Sequence, residues 1–293
     1  MSRLLIVDGH AYAYRAFYAI RDLRSPENQP TNAIYGFVKM LEKMRLAIAP
    51  THLVVVWDGG LSVERTAMLP EYKAQRPKMP DELRVQLDEM VQYLAAARVA
   101  SVCHPGVEAD DYIACLARQA DQAGWNVVIA SSDKDFMQLV SPRIGLLNPN
   151  DKSGTIWTRE QVRAKIGVEP EQVADWLALM GDAVDNIAGV PGVGPKTATG
   201  LLQQFGSVAV LLARVAEVKS EKLRAGISAA AGLVRRNLEL VKLHEVPCEF
   251  APEQVAARPV DDEQLRGLFR RWGFKGMGAA LDAAVSVKQV DLI

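Results

Sequence analysis

The sequence predicts an α/β fold, a mainly parallel central sheet flanked by helices, followed by a C-terminal helical region. Three observations predict it. Four short apolar runs, LLIV (4–7), LVVVW (53–57), VASV (99–102) and VVIA (127–130), are nearly unbroken, as strands buried on both faces are. Between them, 32–48, 81–97 and 108–122 carry apolar residues at helical spacing, and strand–helix alternation implies parallel pairing. From about residue 158 the strand runs stop. The segments 158–166, 170–180, 195–204, 207–216, 230–242 and 261–271 read as helices, many separated by Gly or Pro.

The boundary between the two patterns falls near 160–175. This gives an α/β core over 1–170, a helical region over 171–285 and a tail over 286–293. One segment fits neither pattern. Residues 59–80, GGLSVERTAMLPEYKAQRPKMP, follow a strand run and hold Arg65, Lys73, Arg76 and Lys78 with three prolines. A connection this long inside an α/β unit is usually functional.

A chain of 293 residues with 49% hydrophobic content can bury a large core. No apolar run approaches the roughly 18 residues of a membrane span, and the N-terminus lacks a secretion cleavage pattern. Three sparse cysteines, Cys103, Cys115 and Cys248, show no metal-ligand spacing. They suggest small core side chains in a reducing cytoplasm. The net charge of −1 argues against a nucleic-acid partner on average. Removing the nine acids considered next, however, leaves +8 for the rest of the chain, as a metal-filled acidic pocket in a basic frame would.

Three strand runs end in acid: LLIV at Asp8, LVVVW at Asp58, and VVIASS at Asp133 and Asp135. Ligands of open α/β sheets bind beyond the carboxyl ends of parallel strands, so distant residues should converge there. After VASV, the run GVEADDY adds Glu108, Asp110 and Asp111 at a helix start. Dipole complementation explains that trio equally well when it is taken alone, and a cap or turn role suits any single strand-terminal Asp. Together, so many carboxylates need a counter-charge. With no His or Cys interleaved, Mg²⁺ or Mn²⁺ suits them better than zinc. Two such ions can serve phosphodiester hydrolysis.

Residues 180–199, MGDAVDNIAGVPGVGPKTAT, place Asp182 and Asp185 three apart, so one helical face or turn can present both. Gly189, Gly192 and Gly194 then lead into a helix beginning Pro195–Lys196–Thr197. Glycines and a free helix N-terminus let a phosphate approach backbone. A nucleotide P-loop would need Gly directly before Lys, where Pro195 stands. The stretch 186–200 fits a helix–hairpin–helix, which holds a nucleic-acid backbone without reading bases.

At this point LLIVDGHAYAYRAFYAI, QPTNAIYGF, VVVWDG, EYKAQRP, GVEADDYIA, SSDKDFMQLV and GDAVDNIAGVPGVGPKTA together resemble the 5′-nuclease (flap endonuclease) family. The nearest likeness is to the 5′→3′ exonuclease domain of bacterial DNA polymerase I. The resemblance implies a PIN-like core, an arch over about 60–82 and a helix–three-turn–helix. It implies a structure-specific 5′ nuclease of DNA replication and repair that uses two or more Mg²⁺ or Mn²⁺ ions. Its substrates would be DNA with 5′ flaps, nicks or 5′ ends, or RNA–DNA hybrids. Asp8, Asp58, Glu108, Asp110, Asp111, Asp133, Asp135, Asp182 and Asp185 match the family's metal acids. Lys73 and Arg76 match its catalytic basic pair, which would share a face if helical. Arg65, Tyr72, Lys78, Gly192, Gly194 and Lys196 become DNA-contacting candidates, Tyr72 by stacking on an unpaired base. A K⁺ ion would bind at the helix–three-turn–helix. Where the family has an aromatic-Arg-His run, VERTAM keeps only Arg65.

No polymerase sequence follows residue 293, so a free-standing form is expected if this is the full gene product, while a domain cut from a larger polymerase would read identically. A monomer in the cytoplasm is expected. The end, KQVDLI, resembles the peptide that docks on the bacterial sliding clamp, through Gln289, Asp291, Leu292 and Ile293. The alternatives are a PIN-class RNA-directed nuclease, which would lack the GVPGVGPKT half, and a branched-DNA-binding module that has lost its acids.

Overall fold

The computed structural model describes residues 2–151, 153–248 and 251–290, with the backbone alone described from 284 to 290. The first half of the chain runs β1 (Arg3–Asp8), α1 (Gly9–Ala19), α2 (Asn32–Ile48), β2 (His52–Trp57), α3 (Val63–Met68), α4 (Asp81–Ala96), β3 (Ala100–Cys103), α5 (Ala109–Gln122), β4 (Asn126–Ala130), β5 (Ile144–Leu147) and β6 (Ile156–Trp157). The second half runs α6 (Arg159–Ile166), α7 (Val173–Met180), β7 (Gly181–Asp182), β8 (Ile187–Ala188), α8 (Pro195–Phe205), α9 (Val208–Ala213), α10 (Glu221–Ala229), α11 (Ala231–Val241), α12 (Pro252–Val255), α13 (Asp262–Trp272) and α14 (Lys275–Val290). The four apolar runs are β1 to β4, and the sheet pairing is parallel except for β6 and the β7–β8 hairpin. The chain has the α/β class that its sequence predicts.

The chain divides into two compact units, each drawn from separate stretches of the sequence. One unit joins residues 1–58, 78–103 and 249–293; the other joins 59–77 and 104–248. In the first, the strands lie in the order β3-β2-β1. Leu4 to Val7 are fully buried, which is why this run tolerates no polar residue. Helices α1 and α2 approach closely because Gly36 faces Ala16: a Cβ on Gly36 would lie 2.8 Å from the Ala16 Cβ. The late segment belongs here because its aromatics and cations find partners on α4. Phe269 meets Tyr93, the Trp272 indole donates to Glu89 at 2.8 Å, and Arg271 also pairs with Glu89. A bridge from Ala256 to His52 adds to these.

In the second unit, β4 and β5 pair in parallel against the apolar face of α5, where Ile113, Ala114, Leu116, Ala117 and Ala120 are buried. Helix α7 packs on α11, burying Trp176, Leu177, Val234 and Leu240. Strands do not stop at 158, since α7 is followed by the β7–β8 hairpin. Gly189 in this hairpin has a structural task rather than a phosphate-facing one, as a Cβ there would stand 2.1 Å from the Met180 carbonyl oxygen. Asn237, fully buried on α11, donates to the carbonyls of Ala178 (3.1 Å) and Ala188 (2.7 Å), fixing the hairpin to two helices. Helix α10 escapes a sequence reading because it buries only Ile227 and so lacks an apolar stripe.

Cys115 and Cys248 form a disulfide across 133 residues, while Cys103 is free and exposed. This corrects the expectation of three reduced core cysteines, since pairing depends on a proximity that sequence separation does not reveal. The cysteine usage therefore gives no support for a reducing compartment. No helix among the described residues is long and apolar enough to cross a membrane.

Candidate active site

Helix α3 is capped by Ser62, whose hydroxyl accepts from the Arg65 N–H. It carries Arg65 inward until 2% of the residue is exposed. Its guanidinium forks onto Asp111 at 2.6 and 2.8 Å and donates to Glu108 at 3.1 Å. It also donates to the Leu240 and Lys242 carbonyls, at 2.9 and 2.7 Å. Such bidentate, charge-assisted pairs are the strong ones. The backbone N–H of His244 donates to Asp111 at 2.8 Å, and that of Ser62 to Glu108 at 3.1 Å. Burial alone would lower the Arg65 guanidinium, but the Asp111 hydrogen bonds and charge, with Glu108, hold it above its ordinary range.

The basic segment after α3 is a series of turns rather than a helix. Lys73 adopts the left-handed region, with φ of 56°, and its N–H donates to the Asp185 carbonyl at 3.1 Å. A non-glycine residue there costs on the order of 1–3 kcal/mol, offset here by the contacts of its ammonium. Lys73 Nζ lies 2.8 Å from Glu108, 3.9 Å from Asp185 and 4.0 Å from Asp110. Burial would lower it, but Asp110, Glu108 and Asp185 leave it raised. The Tyr72 hydroxyl lies 3.2 Å from Glu108 and 3.3 Å from Asp185. Burial first, and then these acids, push its phenol far up. Arg76 donates to Asp185 Oδ1 at 2.7 Å with its side chain 41% exposed.

The remaining acids of this unit form a different environment. Asp133 caps a 3₁₀ turn by accepting from the Asp135 N–H at 2.9 Å. Asp182 accepts from the Val184 N–H at 3.0 Å and pairs with Lys134 at 2.8 Å. Single carboxylate oxygens of Asp135, Asp182 and Asp185 all lie within 4.8 Å of one another. Asp135 Oδ1 is buried with no hydrogen-bond partner. Burial, and then Asp133, Asp182 and Asp185, push the Asp135 carboxyl well above the usual range, and burial is also the main cause at Asp133. An orphaned buried oxygen between hard oxygen donors fits a divalent cation of the Mg²⁺ or Mn²⁺ type.

Asp8 and Asp58 stand at the carboxyl ends of the neighbouring strands β1 and β2 in the other unit. Asp8 also caps α1 through the Ala11 N–H at 3.0 Å, and the Asp58 N–H donates to His10 Nδ1 at 3.1 Å. Lys78, Gly192 and Lys196 are exposed, with Gly192 left-handed at φ of 82° and Pro195 opening α8. Three groups of predicted residues are placed as follows. Arg65 and Tyr72, DNA-contacting candidates from sequence, are buried among carboxylates. Lys73 and Arg76 share the partner Asp185 rather than a helical face, and only Arg76 reaches solvent. Asp111 has both oxygens engaged by Arg65 and one also by the His244 N–H. Gln289 lies where only backbone is described, and Asp291, Leu292 and Ile293 lie outside the described residues.

Sequence reasoning missed Lys134, Asn237 and the strap 240–244 that receives Arg65 and Asp111. Only Lys134 carried a signal, as a cation set between two of the acids in SSDKDF.

A parallel-stranded α/β core with carboxylates gathered for a hard cation defines a metal-using hydrolase of the nuclease type. Two family models match nearly the whole chain: the 5′-3′ exonuclease N-terminal resolvase-like domain over residues 3–167, and the 5′-3′ exonuclease C-terminal SAM fold over 168–263. The chain belongs to the 5′-3′ exonuclease family. It is 38% identical to a 5′-3′ exonuclease of Aquifex aeolicus, over 96% of each chain. It is 36% identical to DNA polymerase I of Bacillus caldotenax, over 99% of this chain and 33% of that protein, so it spans about a third of the polymerase. Among solved structures it is similar to T5 5′-exonuclease with divalent metal ions (zinc) bound, with a TM-score of 0.69 and 25% identity over 92% of this chain and 99% of that one. The fold is shared with the catalytic core of Rad2 in complex with DNA substrate, with a TM-score of 0.64 and 17% identity over 93% of this chain and 88% of that one.

Proposed function

We propose that this member of the 5′-3′ exonuclease family hydrolyses DNA phosphodiesters near single-strand/duplex junctions, releasing 5′ flaps or short 5′ products. The observation that carries the reading is the orphaned Asp135 oxygen beside Asp182 and Asp185. Asp135, Asp182 and Asp185, together with Asp133 and Asp110, would hold Mg²⁺ or Mn²⁺; Asp8 and Asp58, at the strand ends of the other unit, are proposed as metal acids as well. Two such ions, when bound, supply the positive charge that stabilises the entering and leaving oxygens. Glu108 and Asp111 act one step back: they hold Lys73 and Arg65, and through them the turn that carries Arg76. Arg76, half in solvent, donates to the non-bridging phosphoryl oxygens, where charge develops. The exposed Lys78, Gly192 and Lys196, with the half-buried Gly194, hold backbone phosphates, and main-chain oxygens of that last turn suit K⁺. The tail residues Gln289, Asp291, Leu292 and Ile293 are proposed to dock on a sliding clamp. A pulldown comparing the full chain with one ending at Val287 tests that, and equal binding defeats it.

Cleavage of a 5′-labelled flap with Mg²⁺, Mn²⁺ or EDTA tests the main reading. Cutting is expected with either ion and none with EDTA. Asp58→Ala should remove most cleavage while leaving branched-DNA binding; a wild-type cutting rate in that variant would defeat the metal assignment.

A further inference from the structure

We propose that Lys134 is a built-in counter-ion of the metal-facing cluster, holding Asp182 when no divalent ion is bound and competing with that ion for the same carboxylate. This rests on the metal reading above and adds to it a residue that reading does not use. Lys134 sits between Asp133 and Asp135 at the start of a 3₁₀ turn, and its Nζ lies 2.8 Å from Asp182 Oδ2. The other oxygen of Asp182 accepts from the Val184 N–H. Asp182 is itself buried, its side chain 8% exposed, so a cation placed on it is screened little by water.

The two lysines of the site differ in a way that matters. Lys73 has 2% of its side chain exposed and no route outward, whereas Lys134 has 33%. A lysine head is compact, strongly hydrated and carried on a flexible stem, so Lys134 can exchange Asp182 for water as an incoming ion takes the carboxylate. Such a residue stabilises the metal-free chain against repulsion among Asp133, Asp135, Asp182 and Asp185. It also sets a threshold that an ion must exceed to bind.

The test is Mn²⁺ binding without DNA, followed by electron paramagnetic resonance of the free ion, on the wild type, Lys134→Met, Lys134→Gln and Lys134→Arg. Removing a partly exposed pair should tighten Mn²⁺ binding by a factor of about five in the Met and Gln variants. Their metal-free Tm should fall, and the rise in Tm on saturation with Mn²⁺ should widen. Lys134→Arg keeps the positive charge and should bind Mn²⁺ no more tightly than the wild type. Unchanged or weaker Mn²⁺ binding in Lys134→Met and Lys134→Gln would overturn the counter-ion role alone. A wild-type chain that binds no Mn²⁺ would overturn the metal reading together with it.

Discussion

Glu108 and Asp111 on one side, and Asp133, Asp135, Asp182 and Asp185 on the other, are equally acidic in sequence and served oppositely by the fold. The first pair is almost wholly buried, and its oxygens meet Arg65, Lys73 and the N–H groups of Ser62 and His244. The second set meets Lys134 and Arg76, with Lys73 at its edge, and leaves a buried Asp135 oxygen without a partner. Acids within one motif family therefore divide by how their counter-charge is held: Glu108 and Asp111 meet the buried Arg65 and Lys73, whereas Asp182 and Asp185 meet the partly exposed Lys134 and Arg76. On the proposed function, the first pair holds the scaffold and the second set can exchange its cations for a metal ion.

Arg65→Met should give the largest effect, because it strands Asp111 as a buried charge and removes one of the two cations on Glu108. Loss of one partner of a buried ion pair costs about 3–5 kcal/mol, to be read from urea unfolding of the metal-free chain. A loss under about 1 kcal/mol would mean the pair is not the scaffold it resembles. The opposite cluster should respond with the opposite sign. Asp135→Asn removes a carboxylate that burial and three neighbours disfavour. Metal-free stability should therefore rise. Wild-type stability should gain about 2.7 kcal/mol at a Mn²⁺ concentration one hundred times Kd, and Asp135→Asn should lose most of that gain. Thermal unfolding in EDTA and in Mn²⁺ reads both, and a destabilised metal-free Asp135→Asn would erase the contrast between the clusters.

Much of the scaffold was legible in the sequence because its cause is local. LLIV can be little other than a buried strand, and the apolar spacing over 32–48 matches α2 from end to end. The acids were legible as a set for the same reason, each standing at a strand end or helix start. Their division into two clusters was not, because it depends on Arg65 meeting Asp111 and the Lys242 carbonyl, contacts that span 46 and 177 residues. Adjacent acids in GVEADDY look alike in one dimension, and only burial against a guanidinium separates Asp111 from Asp110. The Cys115–Cys248 disulfide and the placing of 249–290 with the first unit have the same long-range origin.

Arg76 is where the two clusters can be compared at the smallest cost in stability. Its partner Asp185 belongs to the proposed metal-facing set, yet the Arg76 side chain is 41% exposed, and a pair so placed is worth about 0–1 kcal/mol. Arg76→Ala should therefore unfold within about 1 kcal/mol of the wild type. Flap cleavage should nevertheless fall, by on the order of a hundredfold if its donors meet charge that develops on the phosphoryl oxygens. Lys73→Ala supplies the contrast: it removes the buried cation on Glu108 and should lose stability and cleavage together. If Arg76→Ala loses as much stability as Lys73→Ala, Arg76 belongs with the scaffold. If it cuts at the wild-type rate, the exposed guanidinium only neutralises Asp185, and another cation must meet the phosphate.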